Sequence, residues 1–117
     1  NISAVGHVTA ATKSFLINHP TKEGKQLQYG SLEGPEHGVY ARGYTDTSIV
    51  DLPDYWTELV SSESITASIT PKDFAQPNLF VSGVADNKVY LKSDGQISAY
   101  YIVYGTRKDI DSLEVEI

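Results

Sequence analysis

The feature that most constrains this fold is a series of short segments in which apolar and polar residues alternate at a period of two. The clearest case is residues 64–70, where Ile65, Ala67 and Ile69 alternate with serine and threonine. A strand with one buried face has this period, whereas an amphipathic helix repeats at about 3.6 residues. Further segments of this kind are separated by glycine, proline, asparagine and aspartate. The sequence therefore predicts about eight short strands without a β-α-β rhythm.

One segment, residues 53–60, has the pattern of a helix instead. Proline and aspartate at its start suit a first helical turn. Its apolar residues then recur at spacings of one, three and four positions, at Tyr55, Trp56, Leu59 and Val60. We therefore expect an all-β domain, an antiparallel β-sandwich or a compact barrel, with one short helix at about residues 53–60.

The length of 117 residues suits one domain. Residues 1–12 are small, polar and β-branched, and we expect them to form an extended lead-in from an upstream fibrous region. Residues 13–117 are predicted to form a single β-rich head domain. The formal charge of −6 argues against binding to nucleic acid, and the chain has no apolar run long enough for membrane insertion. The absence of cysteine excludes disulfides and thiolate metal sites.

Residues 97–105 carry apolar side chains on both faces of the predicted strand. One face has Ile97, Ala99, Tyr101 and Val103, and the other has Tyr100, Ile102 and Tyr104. A central strand with one wet face would be apolar on one side only. Either a loop covers the second face or another subunit does. We favour the subunit, because a small domain has few loops to spare, and predict a trimer interface at Tyr100, Ile102 and Tyr104.

Two turns and one further strand are also predicted. Residues 43–47 form a turn that joins the strand at 39–42 to a hairpin partner at 48–52. Asp86 and Asn87 form a tight hairpin turn. A last strand is predicted where Leu113, Val115 and Ile117 alternate with glutamates.

The sequence contains no pattern that specifies catalysis, a cofactor or a metal. His7, His19 and His37 are not spaced as metal ligands. Ser31 and His37 lie in one loop, but nothing resembling a nucleophile elbow surrounds the serine. The acidic residues of the last segment (Asp109, Asp111, Glu114 and Glu116) either protect a solvated strand edge or capture a divalent cation. We expect no catalytic residue, no cofactor and no metal ligand.

The remaining candidates are charged and aromatic residues near the glycine-rich loop at 30–38. Glu33, Arg42 and Arg107 are the charges expected to be structural: either a buried or interface Arg–Glu pair holds this loop, or all three are surface residues. Exposed aromatic rings beside polar residues can stack on sugars. The candidates are Tyr40, Tyr44, Tyr55 and Tyr90, although strand alternation also suits packing in a core or interface. We predict possible receptor binding at Tyr40, Tyr44 and His37.

Several segments together resemble a module found near the C-termini of tailed-bacteriophage fibre and other virion structural proteins. They are KSFLINHP at 13–20, LQYGSLEGPE at 27–36, VYARG at 39–43, LPDYW at 52–56 and GTRKD at 105–109. The resemblance covers about residues 13–109, and its most specific part is the Ser-Leu-Glu-Gly-Pro-Glu segment. It implies a trimeric β-rich head or tip at the end of a fibre, in the extracellular virion.

Such modules commonly register and fold the trimer, and some are cleaved off as intramolecular chaperones. The self-cleaving family has a Ser-Asp pair followed by a lysine at helical distance near its start. Here Ser93-Asp94 is followed by Gly-Gln-Ile-Ser, and no such motif stands near residue 1. We expect a non-enzymatic trimerisation and tip domain that supports host attachment. The alternatives are a receptor-binding module for a bacterial glycan or surface protein, and a chaperone released by self-cleavage.

Overall fold

The computed structural model describes residues 14–117. The predicted lead-in at residues 1–12 lies outside the described residues, as does Lys13. The strands are β1 (Ser14–Asn18), β2 (Gln26–Gly30), β3 (Gly38–Thr45), β4 (Ile49–Asp51), β5 (Thr66–Pro71), β6 (Phe80–Ala85), β7 (Lys88–Lys92) and β8 (Ala99–Thr106). One helical turn, α1 (Trp56–Leu59), and one 3-10 turn, Ser62–Ser64, lie between β4 and β5.

These strands form three antiparallel sheets. β1 and β2 make a hairpin, β3-β8-β5 make the first three-stranded sheet, and β4-β7-β6 make the second. Both three-stranded sheets contribute to one buried cluster. The first sheet supplies Val39, Ala99 and Val103, and the second supplies Val50, Val89 and Leu91. The predicted all-β sandwich with one short helix is therefore confirmed.

β3 and β4 do not form the hairpin that the sequence predicted, and that prediction is wrong. β3 continues to Thr45 and pairs with β8 along its whole length, while β4 pairs with β7 in the other sheet. The reason lies in two consecutive turns, each closed by a hydrogen bond from a backbone amide to a threonine hydroxyl. The Thr45 hydroxyl accepts a hydrogen bond from the Thr47 amide, and the Thr47 hydroxyl accepts one from Ile49. These turns carry the chain from one sheet to the other.

The predicted turn at Asp86 and Asn87 is confirmed. Both residues have left-handed backbones, with φ of 55° and 60°, as expected for the two central residues of a tight hairpin turn. The side-chain amide of Asn87 also donates a hydrogen bond to the Pro53 carbonyl at 2.8 Å. The β6–β7 hairpin is thereby joined to the segment that enters α1.

The helix is shorter than predicted. It begins at Trp56, because residues 53–55 form a preceding turn in which the Trp56 amide bonds to the Pro53 carbonyl. Trp56 is 1% exposed, and its indole N–H donates to the Tyr29 hydroxyl at 3.1 Å. That hydroxyl also lies 2.7 Å from the Tyr55 hydroxyl. Burial raises the pKa of Tyr55, and the bond with Tyr29 adds to the shift. Trp56 thus ties the β1–β2 hairpin to the sandwich.

The last predicted strand is not formed. Residues 110–117 have no regular structure, and no backbone hydrogen bond joins them to the described part of the chain. Leu113 and Ile117 are exposed, and Val115 is 62% exposed. The alternation is present in the sequence, but no strand within residues 14–117 pairs with it. An edge-protecting strand is therefore not what these residues form in a single copy.

Gly105 marks the closest approach between β8 and the residues around α1. A methyl group on Gly105 would overlap Cγ1 of Val60, which is buried and cannot move aside. We expect Gly105→Ala to destabilise the fold by about 1–3 kcal/mol, as overpacking does in well-packed cores. Thermal unfolding measures the effect. Gly95→Ala is the control, because its added methyl meets nothing within 4 Å. Equal melting temperatures for the two variants would contradict this packing.

Candidate functional site

The two faces of β8 differ in exposure, although Tyr101 on the core side is only half-buried. Ala99 and Val103 point into the core and are 0% exposed. On the other face Tyr100 is 53% exposed, Tyr104 is 39% exposed and Ile102 is half-buried. From the sequence, either a loop or another subunit was expected to cover this face. Within residues 14–117 no loop covers it, so the described part of the chain leaves this face open.

The flanking strands extend this face into a patch three strands wide. On one side Tyr40 is opposite Tyr104, Arg42 is opposite Ile102 and Tyr44 is opposite Tyr100. On the other side β5 places Thr66, Ser68 and Thr70 opposite the same three β8 residues. We call this patch the tyrosine face, and it consists of Tyr40, Arg42, Tyr44, Thr66, Ser68, Thr70, Tyr100, Ile102 and Tyr104.

Lys72 holds the two tyrosine rings at one end of the tyrosine face. Its Nζ lies 4.9 Å from the ring centroid of Tyr44 and 4.8 Å from that of Tyr100. These are cation–π distances. The interaction with Tyr100 is the main cause that raises the pKa of the Lys72 ammonium. The ammonium, which also lies 3.8 Å from a carboxylate oxygen of Asp73, thus contacts both rings from one side.

A short polar chain orients Tyr44 further. The Tyr44 hydroxyl lies 3.0 Å from Oγ of Ser98, and Ser98 donates to Asp73 at 2.8 Å. Ser98 is buried, and its amide donates to the side-chain oxygen of Gln76. The ring of Tyr44 is thus positioned before anything binds.

A shallow cleft of about 640 Å³ lies on the tyrosine face. Its walls include Arg42 on one side and the hydroxyls of Ser68 and Thr70 on the other, with Tyr44 and Tyr100 at one end. Aromatic rings with arginine are typical of residues that carry binding energy at protein interfaces. The arrangement can bury apolar surface and can pair with an anion.

Two sets of sequence-predicted residues meet on this face. Tyr100, Ile102 and Tyr104 were predicted as an interface, whereas Tyr40 and Tyr44 were predicted as receptor-binding residues. The pairing of β3 with β8 interleaves the two sets. A single surface therefore carries both predictions, and one occupant excludes the other.

His37 lies apart from the tyrosine face. It lines a cavity of about 80 Å³ with Ser31 and Arg107, beneath Phe15 of the β1–β2 hairpin. The structure thus brings Ser31 and His37 into one cavity, but no hydrogen bond joins their side chains among the described residues. Tyr55 and Tyr90 also lie elsewhere, since Tyr55 is bonded to Tyr29 and Tyr90 belongs to the second sheet.

The predicted Arg–Glu pair is replaced by an Arg–Asp pair. Arg107 donates two hydrogen bonds to Asp109, at 2.9 and 2.7 Å, and its guanidinium carbon lies 3.9 Å from the ring centroid of Phe15. Glu33 is exposed and forms no ion pair within the described residues. Arg42 is exposed on the tyrosine face. Of the three predicted charges, Arg107 is thus the one that ties the loop region and the hairpin to β8.

The Arg107–Asp109 pair gives the fold a pH dependence. The hydrogen bonds from Arg107 hold the pKa of Asp109 below its ordinary value of 3.8. A lowered folded-state pKa stabilises the fold above that ordinary value, and the contribution is lost as the pH falls through the folded-state pKa.

Asp109→Asn should therefore cost about 1–3 kcal/mol near neutral pH, because Arg107 is then left without its anion. The cost should shrink below pH 4. Denaturant unfolding at pH 7 and pH 3 measures it, with Asp111→Asn as the control. A pH-independent difference between the two variants would contradict the ion pair.

One further pair of polar residues, Ser93 and Asp94, lies outside the tyrosine face. The Ser93-Asp94 pair follows β7, where Asp94 accepts a hydrogen bond from Asn78 at 2.6 Å and Ser93 caps the Gly95 amide. Both side chains thus have structural partners in a turn. Among residues 14–117, no three histidine, aspartate or glutamate side chains converge as a metal site would need.

Sequence reasoning missed Lys72, Asp73 and Ser98. Lys72 follows the proline that ends β5, and Asp73 has a left-handed backbone with φ of 74°. The single aspartate two residues after Pro71 was a visible signal for a bend there. No local pattern could predict that this bend places Lys72 against the ring of Tyr44 on β3 and the ring of Tyr100 on β8.

No protein-family model, no curated protein and no solved structure matches this chain.

Proposed function

We propose that this chain is a non-enzymatic self-association domain that forms a homotrimer through its tyrosine face. Its place would be the tip of a phage tail fibre or spike, outside the cell, where it holds the fibre chains in register and supports host attachment. One observation carries the proposal. The central strand β8 buries Ala99 and Val103 on one face and leaves Tyr100 and Tyr104 exposed, with Ile102 half-buried, on the other. Aromatic side chains exposed together at the centre of a sheet can serve as an interaction surface.

The composition of the tyrosine face supports a protein partner. Tyrosine and arginine are enriched at the centre of protein interfaces, and lysine, glutamate and aspartate are depleted there. The nine residues of the face include four tyrosines and Arg42, and none is acidic. Lys72 contacts the rings of Tyr44 and Tyr100. Because the rings are already ordered in part, they lose less side-chain entropy on association.

The viral context and the number of subunits rest on the sequence resemblance. The segments at 13–20, 27–36 and 105–109 resemble the fibre-tip modules of tailed bacteriophages, which assemble as trimers. The tyrosine face by itself requires only another copy. No helix among the described residues is long and apolar enough to cross a membrane.

Light scattering coupled to size-exclusion chromatography tests the proposal. At micromolar concentration the chain should elute with a mass of about 38 kDa, three times 12.8 kDa. A species of 12.8 kDa across the concentration range would overturn it.

A second candidate, binding of a host-surface glycan, is favoured by the charges around the cleft. Arg42 lines the cleft, and Lys72 lies over the rings of Tyr44 and Tyr100. Two cations beside two rings suit an acidic sugar, because the rings stack on the sugar and the cations pair with its carboxylate. A copy of the chain and a glycan would compete for this surface.

Glycan-array binding with Tyr44→Ala and Tyr90→Ala separates the two candidates. Loss of binding for Tyr44→Ala alone, in a chain that remains monomeric, would favour the sugar. A stable trimer that binds no acidic glycan would favour self-association.

A further inference from the structure

The free edge of β3 is the longest unprotected strand edge in the described chain. β3 has eight residues and pairs with β8 on one side only, because it is the outer strand of the first sheet. Its register with β8 is continuous from Gly38 to Thr45, without a bulge. Within residues 14–117, no backbone hydrogen bond engages residues 39–44 on the other side. Such an edge is a template for another strand.

The other edges of the two three-stranded sheets carry features that block strand addition. β5 ends in Pro71, and β6 has an irregular register between Val81 and Gly83. β4 has only three residues. Proline, bulges and short length are the usual protections of edge strands. β3 lacks all three of them.

Residues 110–117 have the pattern of a strand without a partner. Leu113, Val115 and Ile117 alternate with Glu114 and Glu116, and the three apolar side chains are exposed. An alternation of this kind specifies a strand with one buried face. Neither the segment nor the β3 edge therefore pairs with another strand within residues 14–117.

We propose that residues 110–117 of one copy add as a strand to the free edge of β3 in a second copy. This inference rests on the proposed self-association and names the element that forms part of the contact. In the added strand, Leu113, Val115 and Ile117 lie on the core side of the first sheet. Glu114 and Glu116 then lie on its outer side, the side of the tyrosine face.

Charge complementarity supports this orientation. The outward residues of β3 are Tyr40, Arg42 and Tyr44. Arg42 is exposed and has no ion pair within the described residues. A glutamate on a neighbouring strand can pair with it across the strands. The opposite orientation would instead bury both glutamates beside Val39 and Ala41, at a large desolvation cost.

The size of the tyrosine face supports an additional contact. Three strands about 4.8 Å apart and the four steps from Tyr100 to Tyr104 along β8 make a patch of roughly 200 Å². A stable contact buries about 800 Å² on each partner. The face alone falls short of this area. An added strand of eight residues, about 26 Å long, supplies contact along the adjoining edge.

The segment begins at a point that hydrogen bonds fix on both sides of β8. The Lys108 amide bonds to the Leu59 carbonyl and the Lys108 ammonium bonds to the Thr57 carbonyl at 2.8 Å, near α1. On the other side, the Arg107 amide bonds to the His37 carbonyl, just before β3. A second copy can accept the segment without breaking these bonds.

Disulfide crosslinking tests the proposal cleanly, because the native chain has no cysteine. Full-length chains with Tyr40→Cys are mixed with chains carrying Glu114→Cys or Glu116→Cys, and oxidised at micromolar concentration. The two glutamate positions cover the alternative registers, since only side chains whose Cβ atoms lie about 3.5–4.5 Å apart can form the bond. Ser82→Cys, which is exposed on β6 of the second sheet, replaces Tyr40→Cys in the control mixture.

We expect at least a tenfold greater yield of mixed covalent dimer with Tyr40→Cys than with Ser82→Cys. Reversing the charge with Arg42→Glu in the Tyr40→Cys chain should lower that yield. Replacing the remaining glutamate of the other chain with arginine (Glu116→Arg beside Glu114→Cys, or Glu114→Arg beside Glu116→Cys) should recover it. Light scattering of the native chain is measured in parallel. An oligomer without the specific crosslink would overturn the strand addition and leave the proposed function intact. A native chain that is monomeric would overturn both. A single chain that carries both Tyr40→Cys and Glu114→Cys is oxidised as well. If it formed only an intramolecular disulfide, the assignment of the added strand to a second copy would be overturned.

Discussion

Replacing Trp56 with alanine should lower the free energy of unfolding by about 3–5 kcal/mol, the usual cost of deleting a buried tryptophan. The side chain is 1% exposed, and its ring lies against β8 at Gly105. It also bonds to Tyr29, so its loss leaves a cavity and releases the β1–β2 hairpin. Small domains are stabilised by only about 5–15 kcal/mol in total. The variant should thus be close to its unfolding transition at 37 °C.

Urea unfolding followed by far-UV circular dichroism measures this loss. Trp56→Phe helps to separate its two causes, because phenylalanine retains a large aromatic ring but removes the pyrrole ring with its N–H donor. The lost hydrogen bond should cost about 0.5–1.5 kcal/mol, since the half-buried Tyr29 hydroxyl keeps its bond with Tyr55. Glu58→Ala, an exposed change in the same helical turn, is the control and should have little effect. A Trp56→Ala chain as stable as the control would show that the tryptophan does not close the sandwich.

Local patterns predicted the individual elements well. The alternation at 64–70 became β5, and the Asp86-Asn87 turn formed as expected. Each of these depends on residues close together in the sequence. The all-β class followed from the same signals, because alternation and turn residues specify strands without specifying their partners.

Strand pairing could not be predicted in the same way. The sequence suggested that β3 would pair with the next strand, yet Gly38 pairs with Thr106. Alternation fixes which side chains share a face, and it contains no information about which distant strand completes the sheet. Residues 113–117 illustrate the same limit, since their alternation is clear and their partner is absent from the described chain.

The candidate site was predicted in part for this reason. The two apolar faces of β8 could be recognised within one strand, so Tyr100, Ile102 and Tyr104 were found. Arg42 and Lys72 come from other elements, and their position beside those residues depends on the β3–β8 register and on the bend after β5. Long-range geometry of this kind was not available from the sequence of any single segment.

Ile102→Glu should convert the proposed trimer into a monomer without unfolding the chain. Ile102 lies at the centre of the tyrosine face, opposite Arg42 on one side and Ser68 on the other. In a single copy, a glutamate there can pair with Arg42 in water. Between copies the pair would be buried in place of an apolar contact, which costs about 1–4 kcal/mol. The dissociation constant of each contact should rise about 10- to 1000-fold.

Light scattering should show the mass of Ile102→Glu falling from about 38 kDa towards 12.8 kDa, while the circular dichroism spectrum stays native. Ser82→Glu places the same charge on an exposed strand of the second sheet and should leave the mass unchanged. Ile102→Val, which keeps an apolar β-branched side chain, should also remain assembled. Because a closed trimer has three equivalent contacts, the penalty acts three times, and dissociation should be complete at concentrations where the native chain is fully assembled. A trimer that survives Ile102→Glu would mean that another surface joins the copies and that the tyrosine face stays open in the assembly.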